Sequence, residues 1–162
     1  MVRKLKFNLD GPFESALESA IHKDILVLIA AGIGITPFIS IFNHLLRSTK
    51  KSPIERIHLV WISKDLAQFA MFCQTLCDLN EKFWDENKPD KFQMRFYLTH
   101  STSTQITMDD DEESLYGDEL FGKHALFINS RLYDGRPSWN YLFGYFSSLY
   151  RKSVFIQDQL NS

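Results

Sequence analysis

A doubly wound α/β fold with a parallel sheet is predicted by two features of the chain. Apolar runs of strand length alternate with stretches of helical periodicity, and a glycine turn joins the first strand to the first helix. The first strand, over 25–31, is the run Ile25-Leu26-Val27-Leu28-Ile29-Ala30-Ala31, too continuously apolar to have a wet face. Gly32 and Gly34 come next, one residue apart, and let the main chain turn sharply and approach a ligand with no Cβ in the way. Thr36 is placed to cap the helix predicted over 37–48, and Pro37 suits its first turn. Further strands are predicted over 56–63, 92–99 and 153–156, with helices over 66–80 and 138–150; Asp65 can cap the first of these. Such alternation implies right-handed crossovers and helices on both faces of the sheet.

In a sheet of this kind a ligand lies across the carboxyl ends of the first strands, where Gly32, Ser63 and Thr99 emerge. A helix start with free N–H groups attracts anions, and a pyrophosphate is its natural guest. The expected contacts at Gly32, Ile33, Gly34, Ile35, Thr36 and Pro37 are led by the main chain; an ordinary turn without a ligand is the plain alternative. Pro37 stands where the G-x-G-x-x-G fingerprint has its third glycine, which argues against an ordinary Rossmann dehydrogenase. Lys64 follows the second strand, where dinucleotide folds meet the adenosine ribose and a cation can pair with a 2′-phosphate. Arg136, between Gly135 and Pro137, is the second candidate for that phosphate or for the adenine edge. Each has a bland alternative, a solvated lysine and an arginine bonded to local carbonyls. Trp139 reads as a core residue rather than a stacking platform.

Composition narrows the class. The 162 residues, 44% hydrophobic with 14 phenylalanines, suffice for one sizeable core. A formal net charge of −2 offers no basic field for nucleic acid. The longest apolar stretch falls far below the roughly 20 residues needed to span a bilayer, and no signal-peptide pattern follows Met1. This chain alone is therefore expected to be soluble and cytoplasmic. Cys73 and Cys77 lie four apart in an apolar helical pattern and read as reduced thiols, since no partners complete a metal-ligand set. His22, His44, His58, His100 and His124 are scattered without nucleophile or carboxylate at motif spacing, so no hydrolytic or metal site is predicted. Residues 101–122 turn polar and hold Asp109-Asp110-Asp111-Glu112-Glu113, a charge run expected to form a solvated insertion.

Taken together, Ala31-Gly32-Ile33-Gly34-Ile35-Thr36-Pro37-Phe38, Asp10-Gly11-Pro12-Phe13, Trp61-Ile62-Ser63-Lys64-Asp65 and Gly135-Arg136-Pro137-Ser138-Trp139 resemble the motifs of the NADPH oxidases. These belong to the ferredoxin-reductase-like superfamily, with the ferric reductases as sharers of the fold and the glycine loop. Residues 80–90 and the segments His124-Ala125-Leu126 and Asn129-Ser130-Arg131-Leu132 look most like the type-4 branch. The family usually has Arg where Lys64 stands, and losing the planar fork weakens bidentate phosphate contact while keeping the charge.

The resemblance implies a ferredoxin-reductase-like nucleotide-binding domain over 25–156, a lead-in over 1–24 and an atypical tail over 157–162. It implies NADPH as the ligand bound here. For the full enzyme it implies hydride transfer to FAD and electron transfer through haem to oxygen, giving superoxide or hydrogen peroxide. The implied partners are the FAD-binding domain, the transmembrane haem domain and an oxidase membrane subunit, on the cytosolic face of a membrane. After Val154-Phe155-Ile156 the family continues with Cys-Gly-Pro and a last strand, whereas here Gln157-Asp158-Gln159-Leu160-Asn161-Ser162 follow. The domain is thus expected to be truncated at its C-terminal strands; a catalytically inactive binding or interaction module and a ferric reductase NAD(P)-binding domain are the alternative readings.

Overall fold

The computed structural model describes residues 22–49, 52–99, 118–150 and 156–158. Strands β1 (Ile25–Ala31), β2 (Arg56–Ser63), β3 (Phe92–Leu98), β4 (Leu132–Asp134) and β5 (Ile156–Asp158) form one sheet in the order β4-β3-β2-β1-β5. Every neighbouring pair is parallel. The helices are α1 (Thr36–Arg47), α2 (Leu66–Asp85), α3 (Asp118–Phe121), α4 (Ala125–Asn129) and α5 (Trp139–Leu149). From β1 the chain steps outward to β4 and then returns to place β5 on the other side of β1. The strand order therefore reverses at β1, and a crevice opens at its carboxyl end.

Alternation of side chains divides the core between the two faces. Leu26, Leu28 and Ala30 of β1, Ile57, Leu59 and Trp61 of β2, and Phe92, Met94, Phe96 and Leu98 of β3 pack with α1 and α2 in the larger cluster. Val27, Ile29 and Val60 face the other way and meet Leu142 and Phe146 of α5. Helix α1 buries Phe38, Phe42 and Leu45 along one stripe, and α2 buries Phe69, Cys73, Leu76, Leu79 and Phe83, both at the three-and-four spacing of an amphipathic helix.

The parallel α/β architecture agrees with the sequence expectation, with instructive differences. Strands β1 and β2 have the predicted bounds, and β3 stops at Leu98, one residue early. Helix α2 continues to Asp85 because Phe83 extends its buried stripe; it ends where Asn87 takes φ 62° and the Lys88 N–H reaches back to the Phe83 carbonyl at 2.8 Å. Strand β5 shares only Ile156 with the predicted 153–156, and Gln157 and Asp158 pair with Leu28 and Ile29 where an atypical tail was expected. The last residues of the expected 101–122 insertion are helical, and Phe121 is buried in the larger cluster. Strand β4 and helices α3 and α4 were not anticipated. Residues 10–13, the acidic run 109–113, His100 and residues 153–155 lie outside the described residues.

Thr36 does not cap α1 as an acceptor. It is already helical, and its hydroxyl donates 2.8 Å to the Ile33 carbonyl, while Pro37 sits in the first turn as expected. The chain reaches α1 through a tight 3-10 turn over Gly32–Ile35, so the helical path begins before Thr36 and leaves no extended residue for it to occupy.

Candidate nucleotide site at the carboxyl ends of the strands

Gly32 turns the chain out of β1 with φ +54°, a left-handed conformation that a side chain resists. Its carbonyl accepts the indole N–H of Trp61 at 2.9 Å. Gly34 does not need positive φ, and a Cβ added there meets nothing within 4 Å. The space over Gly34 is open, as a cradle for a ligand's phosphates requires. Ile33, at the turn's apex, is 77% exposed, whereas Ile35 is fully buried and anchors the turn. This turn runs from the carboxyl end of β1, where the strand order reverses, into the 12-residue helix α1.

The neighbouring strand ends are laced together by main-chain bonds. Thr99 donates its N–H to the Ser63 carbonyl at 2.8 Å, and Gly135 donates to the Leu98 carbonyl at 2.8 Å. The Ser63 hydroxyl lies 2.8 Å from the Gln68 amide oxygen and accepts the Asp65 N–H at 3.0 Å. Asp65 caps α2 as expected, accepting the Ala67 N–H at 2.9 Å. Lys64, between Ser63 and Asp65, is exposed. Arg136 is exposed too, one residue after Gly135, whose φ of +81° forms the turn, and one before the buried Pro137. Both cations thus leave strand ends on the carboxyl edge, Lys64 from β2 and Arg136 from β4, with β3 between them.

Gln68 and the indole of Trp61 were not singled out as site residues by sequence reasoning. The tryptophan was visible as a motif residue, but its bond to Gly32 depends on the β1–β2 register that pairs Ala30 with Trp61. Gln68 gave no signal; it lies one turn into α2, and its amide oxygen would sit 3.6 Å from a Cβ on Gly32.

Among the described residues no group of His, Cys, Asp and Glu is arranged to hold a metal ion. Cys73 and Cys77 are free, and burial followed by the neighbouring Cys73 pushes the Cys77 thiol up to about 12, far from a reactive thiolate. Trp139 packs against the smaller cluster and stacks on Phe143 at 5.8 Å, in keeping with a structural role. No helix among these residues is long and apolar enough to cross a membrane. A concavity of about 230 Å³ lies at the other end of the sheet, lined by Asn80, Trp84, Phe92 and Arg131 among others. The glycine turn is the candidate site, since open α/β sheets hold dinucleotides in a strand-end crevice rather than an enclosed cavity.

A parallel sheet that reverses at β1, with a glycine turn feeding a helix at that point, defines a dinucleotide-binding α/β domain. The chain belongs to the ferric reductase NAD-binding domain family, which matches residues 23–156. NADPH oxidase 4 of Homo sapiens is 38% identical over 138 residues, covering 85% of this chain and 22% of that protein. A superoxide-generating NADPH oxidase heavy chain of Dictyostelium discoideum is 32% identical over 140 residues, 83% of this chain and 25% of that protein. NADPH oxidase 1 of Rattus norvegicus is 29% identical over 156 residues, 92% of this chain and 26% of that protein. The chain spans about a quarter of the length of these relatives.

Proposed function

We propose that this chain is the NADPH-binding part of an NADPH oxidase, an oxidoreductase anchored in a membrane. The observation that carries the reading is the glycine turn at the reversal point of the sheet, left-handed at Gly32 and open above Gly34. The main chain of Gly32, Ile33, Gly34 and Ile35, continuing into Thr36 and Pro37, lies against the pyrophosphate; N–H groups at a helix start favour its negative charge. Lys64 and Arg136 meet the 2′-phosphate as two exposed cations and so favour NADPH over NADH. When bound, NADPH supplies a hydride for FAD, from which haem in the parent enzyme passes electrons to oxygen to give superoxide or hydrogen peroxide. The chain's own task is to bind and orient. Residues 25–156 make up the domain, with 1–24 as its lead-in and the acidic stretch near 101–122 as an insertion. Its partners, on the cytosolic face, are the FAD-binding domain, the haem-bearing membrane domain and an oxidase membrane subunit. Calorimetric titration of this chain with NADPH and NADH tests the binding claim: saturable binding with NADPH the tighter ligand is expected, and no binding of either would refute it.

A further inference from the structure

We infer that Trp61 is a positioning residue for pyrophosphate binding, acting through the carbonyl of Gly32. The inference rests on the proposed NADPH-binding role and assigns a task to a side chain that would not itself touch the ligand.

Trp61 is 0% exposed, so its ring cannot stack on a ligand. It is held edge-on by Phe69 at 4.9 Å and by Phe96 at 6.2 Å, contacts that leave the ring little room to turn. From that fixed position the indole N–H donates 2.9 Å to the Gly32 carbonyl. A buried indole N–H without an acceptor is costly, so the bond constrains both partners.

The constraint falls where it matters for an anion. A carbonyl oxygen is the one main-chain group in the turn that repels phosphate, and a glycine peptide can rotate more freely than any other. Gly32 sits at φ +54°, a conformation open to glycine but not strongly favoured over its alternatives. Bonding its carbonyl to the buried indole keeps that dipole directed toward the core and away from the open space over Gly34. The Ser63–Gln68 contact of 2.8 Å backs the same glycine, since Gln68 closes the side of Gly32 where a Cβ would project. Trp61 therefore preserves a turn that offers N–H groups and hides its oxygen.

A purely structural tryptophan would weaken all ligands together, which sets the experiment. The full chain is titrated with NADPH, which carries the pyrophosphate, and with adenosine 2′-monophosphate, which keeps the adenine and 2′-phosphate but lacks it. In Trp61→Phe we expect at least a tenfold loss for NADPH and less than a twofold loss for the monophosphate. Equal losses for both ligands, or no loss for either, would overturn the inference. If Trp61→Phe does not fold, site-specific replacement of Trp61 by 3-benzothienylalanine keeps the bicycle and exchanges N–H for sulfur, with the same two outcomes. Failure of the unsubstituted chain to bind NADPH would sink the functional reading and this inference with it, whereas tight NADPH binding by both chains would sink this inference alone.

Discussion

Gly135 donates its N–H to the carbonyl of Leu98 at 2.8 Å, which fastens the turn carrying Arg136 to the end of β3. Through that bond Arg136 keeps a fixed station on the same edge from which Lys64 leaves β2. Two cations held on one edge by main-chain bonds make a charge-based choice between cofactors possible.

NADPH should accordingly bind more tightly than NADH. Lys64→Ala and Arg136→Ala should each weaken NADPH by about 1 kcal/mol, roughly fivefold, since both cations are exposed and their pairing is screened by solvent. NADH affinity should hardly change. Parallel titrations at low and high salt give an internal check, because screening should narrow the gap between the cofactors.

Gly34→Val should separate binding from folding. Gly34 lies outside the left-handed region and an added Cβ meets nothing within 4 Å, so the melting temperature should barely move. The branched side chain would fill the space above the turn and cost at least about tenfold in NADPH affinity, about 1.4 kcal/mol. Gly32→Val should instead destabilise the fold by about 1–2 kcal/mol, because φ +54° is strained for any side chain. A folded Gly34→Val chain that binds NADPH like the parent would remove the turn from the site.

His58 makes stability depend on pH. Its imidazole is buried, 2.7 Å from the Tyr150 hydroxyl and beside Phe146, and burial first, then Arg95 and Arg56, holds its pKa down to about 4. The folded value lies below the unfolded value near 6.5, so the unfolded chain takes up the proton first. The stabilisation is therefore complete above about pH 6.5 and is lost as pH falls from there toward 4, by about 2–3 kcal/mol. Urea unfolding at pH 7 and pH 4.5 should show this drop, and His58→Gln, which keeps a hydrogen-bonding side chain but no titration, should flatten it.

Lys82 ties α2 to the end of α1. Its ammonium donates to the carbonyls of Leu45 at 2.7 Å, Leu46 at 3.2 Å and Ser48 at 2.8 Å, serving main-chain acceptors that a helix end leaves unpaired. Lys82→Met retains the apolar stem and removes the donor. It should destabilise the chain by about 1–3 kcal/mol in thermal or urea unfolding, with NADPH affinity unchanged.

The α/β class, the bounds of β1 and β2, the cap at Asp65 and the glycine turn were all legible in sequence, because each rests on local chemistry. A strand buried on both faces must be continuously apolar, a turn at positive φ calls for glycine, and a carboxylate before a helix finds the free N–H groups of its first turn. Family motifs pointed further to Lys64 and Arg136, which the structure leaves exposed just beyond the ends of β2 and β4. Tertiary structure alone decided the rest. Strand β4 is three residues long and shows no period; it exists because β3 offers Phe96, Tyr97 and Leu98 as pairing partners. Phe121 lies at the end of a polar stretch, yet the larger cluster takes it in. Thr36 lost its expected capping role to a 3-10 turn that starts the helical path early. The bond from Trp61 to Gly32 joins residues 29 positions apart and requires β1 and β2 to pair in one register. Local patterns determine which elements form and where a ligand can approach; contacts between distant segments determine which groups stand ready to meet it, because only packing brings them together.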